Sequence, residues 1–148
     1  DWSSDVCSSD LQSARYGMVL PTFVRQALAG SPITVHGTGL QSRSFTYVSD
    51  VVGVLTKIPH EPKAVGEVFN IGNSVEITIE GLAEKVKQMT GSNSPIVKIP
   101  YDEVFDSGFE DMPRRVPDLT KVNRVLGYEP KVQLEAMIKH VIEFSRAG

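Results

Sequence analysis

Arginine is the residue type here best suited to gripping an anion. Its guanidinium is planar, permanently charged and forked, so it can hold a phosphate through parallel hydrogen bonds. Arg43 stands in the segment PITVHGTGLQSRSFTYVSD, Pro32 to Asp50. A surface ion pair is the everyday alternative for any arginine. Arg114 and Arg115 adjoin in EDMPRRVPD. Other chemistries lack their parts. None of Tyr16, Tyr47, Tyr101 and Tyr128 is followed by lysine four places on, so the pair that moves protons beside a nicotinamide is missing. Gly37-x-Gly39 is followed at the third place by Ser42 and lies between two expected strands, so it fails the dinucleotide fingerprint. No glycine precedes a lysine, as a P-loop requires, and no Gly-x-Ser-x-Gly is present. His36, His60 and His140 have no partners at metal-ligand spacing, so no metal site is expected. The stretch taken alone holds no complete catalytic apparatus, and its informative residues are binders.

Those residues need elements to position them. Leu20 to Ala29 reads as a helix closed by Gly30. Ile33 to Val35 reads as a strand after Pro32, followed by a glycine-rich turn from His36 to Leu40. Ser44 to Val48 reads as a second strand, and Asp50 as the cap of a helix running to about Lys57. Pro59 and Pro62 mark a loop, and Glu67 to Ile71 reads as a strand. Thr78 is the expected cap of a helix whose Ile79, Leu82, Ala83, Val86 and Met89 share one face, ended by Gly91. Ile96 to Ile99 reads as a strand and 100–117 as a loop. Asp118 is expected to cap a short helix with Leu119, Val122 and Leu126 inward, closed by Gly127. A last helix carries Leu134, Met137, Ile138 and Val141 on one face. Helices and short strands mix without strict alternation, so the expected class is α/β or α+β.

A chain of 148 residues suggests one domain with room for a core. Its longest apolar runs fall far short of a membrane span, and mild acidity argues against a nucleic-acid partner. The start, DWSSDVCSSDL, shows no amphipathic period and no signal-peptide layout. Residues 1–11 resemble the in-frame translation of a sequencing-library adapter, so they are expected to be non-native, with 12–148 the protein proper. Setting aside Asp1, Asp5 and Asp10 leaves 15 acidic against 15 basic residues, and Cys7, the only cysteine, goes with them. A cysteine-free remainder suits the cytoplasm. A reading frame that opens mid-gene also predicts a truncated protein.

The segment Pro32 to Asp50 resembles a signature of the nucleotide-sugar epimerases and dehydratases of the extended short-chain dehydrogenase/reductase superfamily. GMVLPTFVRQALAG before it, and FNIGN, EITIEGLAEKV and RRVPDLTKVNRVLGYEPKVQLEAMI after it, follow in the family's order. The resemblance covers essentially all of 12–148. It implies the C-terminal, substrate-binding part of an extended Rossmann-type enzyme, with the N-terminal Rossmann half missing.

By that resemblance Arg43 binds the substrate diphosphate, and Arg115 is the second candidate, Arg114 being left to solvent. Thr34, Val35 and His36 occupy the strand that borders the base, where relatives often have an aromatic in the place of His36. An imidazole can stack there or hydrogen-bond, or it can simply pack at the strand end. Leu20 and Pro21 stand where relatives line the nucleotide pocket; as bare residues they read as core. Asp111, seven places before Asp118, matches a ribose-contacting aspartate. Epimerases usually add an arginine three places earlier, but Gly108 stands there, and EDMPRRVPD resembles the decarboxylase form with the arginine displaced to Arg115. Tyr47 faces either the sugar and cofactor edge or a packing neighbour.

The resemblance implies an intact enzyme that keeps NAD in its Rossmann half. A tyrosine lowered by a lysine deprotonates the sugar 4-hydroxyl while hydride moves to NAD. This chain would only align the nucleotide sugar, bind no cofactor alone and be inactive alone. A UDP-glucose 4-epimerase-like enzyme is the first expectation. UDP-glucuronate decarboxylase, a dTDP-sugar dehydratase and a non-catalytic nucleotide-sugar-binding module are the alternatives. Relatives are often homodimers. The chain alone is also expected to expose Val51, Val52, Val54 and Leu55 as an apolar patch.

Overall fold

The structure, a computed structural model, describes residues 19–103 and 112–147. In chain order it holds α1 (Val19–Leu28), β1 (Ile33–His36), β2 (Ser42–Ser44), α2 (Val48–Leu55), β3 (Glu76–Thr78), α3 (Ile79–Thr90), β4 (Ile96–Ile99), β5 (Arg114–Arg115), α4 (Thr120–Leu126) and α5 (Leu134–Ala147). Short 3-10 turns lie at Ile58–His60, Pro62–Ala64 and Tyr101–Glu103. The mixture is α/β, as the sequence pattern implies.

Local chemistry sets the helix limits. Pro21 lies in the first turn of α1, where N–H groups have no intrahelical partner and a missing one is harmless. At its far end Gly30 turns left-handed, at φ 68°. The Gly30 and Ser31 N–H groups then reach the Ala27 and Gln26 carbonyls, the bond pair that closes a helix on a left-handed residue. The Thr78 hydroxyl caps α3 by accepting from the Gly81 N–H at 3.0 Å. Leu82, Ala83 and Val86 are fully buried because they recur on the one face the hydrophobic spacing selects.

Two small sheets and two apolar clusters follow. β1 pairs parallel with β4, Ile33 opposite Ile96 and His36 opposite Ile99. The second sheet has the order β3-β2-β5, antiparallel between β2 and β3 and parallel between β2 and β5. The larger cluster joins α1, β1, α3 and α5 through Phe23, Val24, Ile33, Val35, Leu82 and Ile138. A smaller one gathers Val54, Val122, Leu126 and Tyr128.

Several sequence expectations need correction. The second strand is not Ser44 to Val48. β2 has ladder partners only over Ser42–Ser44, and the Tyr47 carbonyl already accepts from the Asp50 and Val51 N–H groups, so the chain is entering α2. Asp50 therefore lies inside α2 and does not cap it. Its carboxylate instead accepts from the Lys131 and Val132 N–H groups at 3.0 and 3.1 Å, tying α2 to the approach of α5. Glu67 to Ile71 joins no sheet; Phe69 and Ile71 supply side chains to the smaller cluster without any backbone ladder. The strand in that region is β3, immediately before the Thr78-capped helix. The expected loop 100–117 contains β5, made possible by the open edge of β2. On α5 the buried residues are Met137, Ile138 and Ile142, with Leu134 and Val141 at the margin of the cluster. Val54 is not part of an exposed patch, being 2% exposed, whereas Val52 and Leu55 are about half exposed at 49% and 51%.

Candidate functional site

The second sheet brings together two residues far apart in sequence. Arg43 on β2 is the register partner of Arg115 on β5. Neighbouring strands lie about 4.8 Å apart, and paired residues project on the same side of the pleat. Both side chains therefore leave the same side of the sheet, and both residues carry a permanent positive charge. Arg43 Nη1 donates to the Ser42 carbonyl at 2.7 Å and the Met112 carbonyl at 2.8 Å. The second bond draws the chain that leads into β5 against β2. Arg43 is half-buried and Arg115 exposed.

Arg114 projects to the opposite side, where it is exposed to solvent and paired with Glu76. Its Nε lies 3.0 Å from both Glu76 carboxylate oxygens, and its Nη2 lies 2.6 Å from Oε1. The Ser42 hydroxyl adds a 2.7 Å bond to Glu76 Oε2. The Arg114 guanidinium first, and then Ser42, hold the Glu76 carboxyl below its usual range. One face of the sheet carries this ion pair, and Arg43 and Arg115 leave from the other.

The other predicted binders divide among several places. The Thr34 backbone N–H donates to Gln26 Oε1 at 3.1 Å, and Gln26 Nε2 donates to the Thr34 hydroxyl at 2.8 Å. The α1 side chain thereby closes the outer edge of β1. Val35 is fully buried and Leu20 is 6% exposed, so both stand in the core; Pro21 is half-buried on α1. His36 is half-buried at the end of β1, and its carbonyl accepts from Gln41 Nε2 at 2.9 Å. The Tyr47 ring lies 5.3 Å from the His140 ring of α5, tilted by 45°, which is a packing contact. Asp111 lies outside the described residues. A cavity of about 200 Å³ opens elsewhere, between Phe45, Val75, Ile77, Lys85 and Leu134; it holds none of the predicted binders and is small for a nucleotide.

Gln41 and Gln26 were given no role by the sequence, although Gln41 stands inside the signature-like segment two places before Arg43. The available signal was a polar residue of fixed geometry beside a glycine turn. The Gly37–Gly39 turn itself does not fit a dinucleotide. It leads from strand to strand, any side chain at Gly37 would overlap the Tyr101 ring, and one at Gly39 would meet Val35 and Glu80 at 3.0 Å. The pyrophosphate of a dinucleotide sits on an open glycine turn at a helix start in the Rossmann arrangement, whereas this turn is closed by side chains.

The chain resembles known proteins along nearly its whole length. The family model described as GDP-mannose 4,6 dehydratase matches residues 8–141. A UDP-N-acetyl-alpha-D-glucosaminuronate decarboxylase of Bacillus cytotoxicus is 40% identical over 131 residues, covering 88% of this chain and 40% of that protein. The structure of a UDP-glucose 4-epimerase with UDP-glucose from Thermotoga maritima superimposes with TM-score 0.77 at 32% identity, over 90% of this chain and 41% of its own. A UDP-glucuronic acid 4-epimerase from Bacillus cereus, in complex with UDP-glucuronic acid and NAD, shares the fold at TM-score 0.75 and 24% identity, over 88% and 40% of the two chains. The chain spans about two fifths of the length of each of these relatives.

Proposed function

We start from the fact that this chain belongs to the GDP-mannose 4,6 dehydratase family of NAD-dependent nucleotide-sugar epimerases and dehydratases, and we propose that it is the nucleotide-holding part of a UDP-uronate decarboxylase. The observation that carries the reading is the registered pairing of Arg43 with Arg115. A diphosphate presents two adjacent anionic groups, and two forked cations on register partners of neighbouring strands suit it. His36, at the end of β1, borders the base. Residues 1–11 are read as adapter and 12–148 as the protein. NAD and the Tyr-x-x-x-Lys pair, which is absent from this sequence, are read as belonging to a part of the whole enzyme beyond this chain. The whole enzyme is read as a cytoplasmic homodimer with no nucleic-acid or membrane partner.

The choice of decarboxylation reverses the order in which the sequence ranked two reactions. Gly108 replaces the arginine of an epimerase, Arg115 stands where the decarboxylase form puts it, and a 40%-identical relative is a decarboxylase. An epimerase remains the second reading, favoured by the likeness to the UDP-glucose 4-epimerase of Thermotoga maritima. The test is product analysis of the whole enzyme with UDP-glucuronate. Release of carbon dioxide and a UDP-pentose is expected. A UDP-hexuronate epimer without carbon dioxide would select the second reading, and no turnover of any UDP-sugar would overturn both.

A further inference from the structure

Gln41 lies in the connection between β1 and β2, and its side chain spans two other parts of the fold. Nε2 donates to the His36 carbonyl and to the Tyr101 hydroxyl, each at 2.9 Å. An amide nitrogen carries two hydrogens, so both are used. A carbonyl can only accept, which fixes the amide with its nitrogen toward His36.

The main chain around this amide is held as well. The Gly37 N–H donates to the Ile99 carbonyl at 2.7 Å, and the Gln41 and Gly39 carbonyls accept from the Ile79 and Glu80 N–H groups, each at 3.0 Å. The Tyr101 ring lies against Gly37 so closely that a side chain there would overlap it. The turn is thus fastened to the end of β4 and to the start of α3. The Gln41 amide joins the one base-bordering residue of β1 that is neither core nor tied to α1, His36, to the aromatic that seals Gly37.

We infer that Gln41 is a positioning residue for base recognition: acting through the His36 carbonyl and the Tyr101 hydroxyl, it sets how the end of β1 meets the nucleotide base, and so which base is preferred. The inference rests on the nucleotide-binding reading above. The diphosphate is common to all nucleoside diphosphates and falls to Arg43 and Arg115. Discrimination between bases falls to the strand end, whose backbone has to be rigid to favour one ring over another.

Gln41→Met, of similar length and without donors, and Tyr101→Phe, which keeps the ring on Gly37, are compared with the unaltered chain by calorimetric titration with UDP and with ADP. Each variant is expected to weaken UDP about tenfold, the effect of one hydrogen bond of about 1.4 kcal/mol, while ADP shifts by less than about twofold. The preference for UDP then collapses while the melting temperature of Tyr101→Phe holds. Equal weakening of both nucleotides, or an unchanged preference, overturns the role of Gln41. Arg43→Ala is the control that separates the two readings. It is expected to weaken both nucleotides alike, and binding that is absent in the unaltered chain or indifferent to Arg43 removes the nucleotide reading itself.

Discussion

Arg114 and Arg115 are chain neighbours with opposite surroundings. The pleat sends Arg114 to Glu76 and Ser42 and leaves Arg115 beside Arg43. The first is a bidentate surface pair, whose contribution depends on pH. Arg114 lowers the Glu76 carboxyl from its ordinary value of 4.5. A lowered carboxyl stabilises the folded chain in full above that value and loses the effect as pH falls through the folded one. The melting temperature should therefore fall between about pH 6 and about pH 3 by more in the native chain than in Glu76→Gln, where that titration is absent. Equal slopes would show that the pair adds nothing. At this scale Arg43 was legible as a candidate from the segment around it, because a forked cation in a dense pattern of glycine, glutamine and aromatic residues is unusual. The surroundings of Arg114 were not, because its partner lies on a strand 38 residues away.

Elements with local stop and start chemistry were legible, and elements that exist only through partners were not. α3 announces itself by Thr78, its apolar face and Gly91, and the structure gives each its expected role. The Thr78→Ala substitution removes the hydroxyl that serves the Gly81 N–H, and it should cost about 1 kcal/mol, read as a lower melting temperature. An unchanged value would mean that water replaces the cap without loss. β3 and β5 carry no such signals. Glu76–Thr78 and Arg114–Arg115 are too short for alternation to register, and both are strands because β2 offers an edge on each side. The reverse error at Glu67 to Ile71 has the same cause. Val68, Phe69 and Ile71 have strand-like side chains, but among the described residues no partner strand pairs with them, and Phe69 and Ile71 act as packing groups.

Across the molecule, the larger cluster fixes β1 while the smaller cluster anchors α2, α4 and Tyr128. Tyr128 links them to the chain before β3, since its hydroxyl donates to the Gly72 carbonyl at 2.6 Å. Burial, and after it the Asp50 charge, push its phenol above the usual value, so it stays a donor across the neutral range. Val48, Val52 and Leu55 remain exposed on α2, while Val54, on the opposite side of the helix, anchors it. The sequence marked this helix as apolar but could not say which side turned inward, because valines recur on both. The paired arginines are likewise a product of the whole fold, since β2 and β5 meet only when the chain brings Met112, 69 positions on, back to Arg43. Calorimetric titration of the chain with UDP tests that meeting most directly. Arg43→Ala and Arg115→Ala should each weaken UDP by about tenfold to a hundredfold, the effect of a charged hydrogen bond, with Arg114→Ala within about twofold of the native chain. Native affinity in both Arg43→Ala and Arg115→Ala would contradict the account.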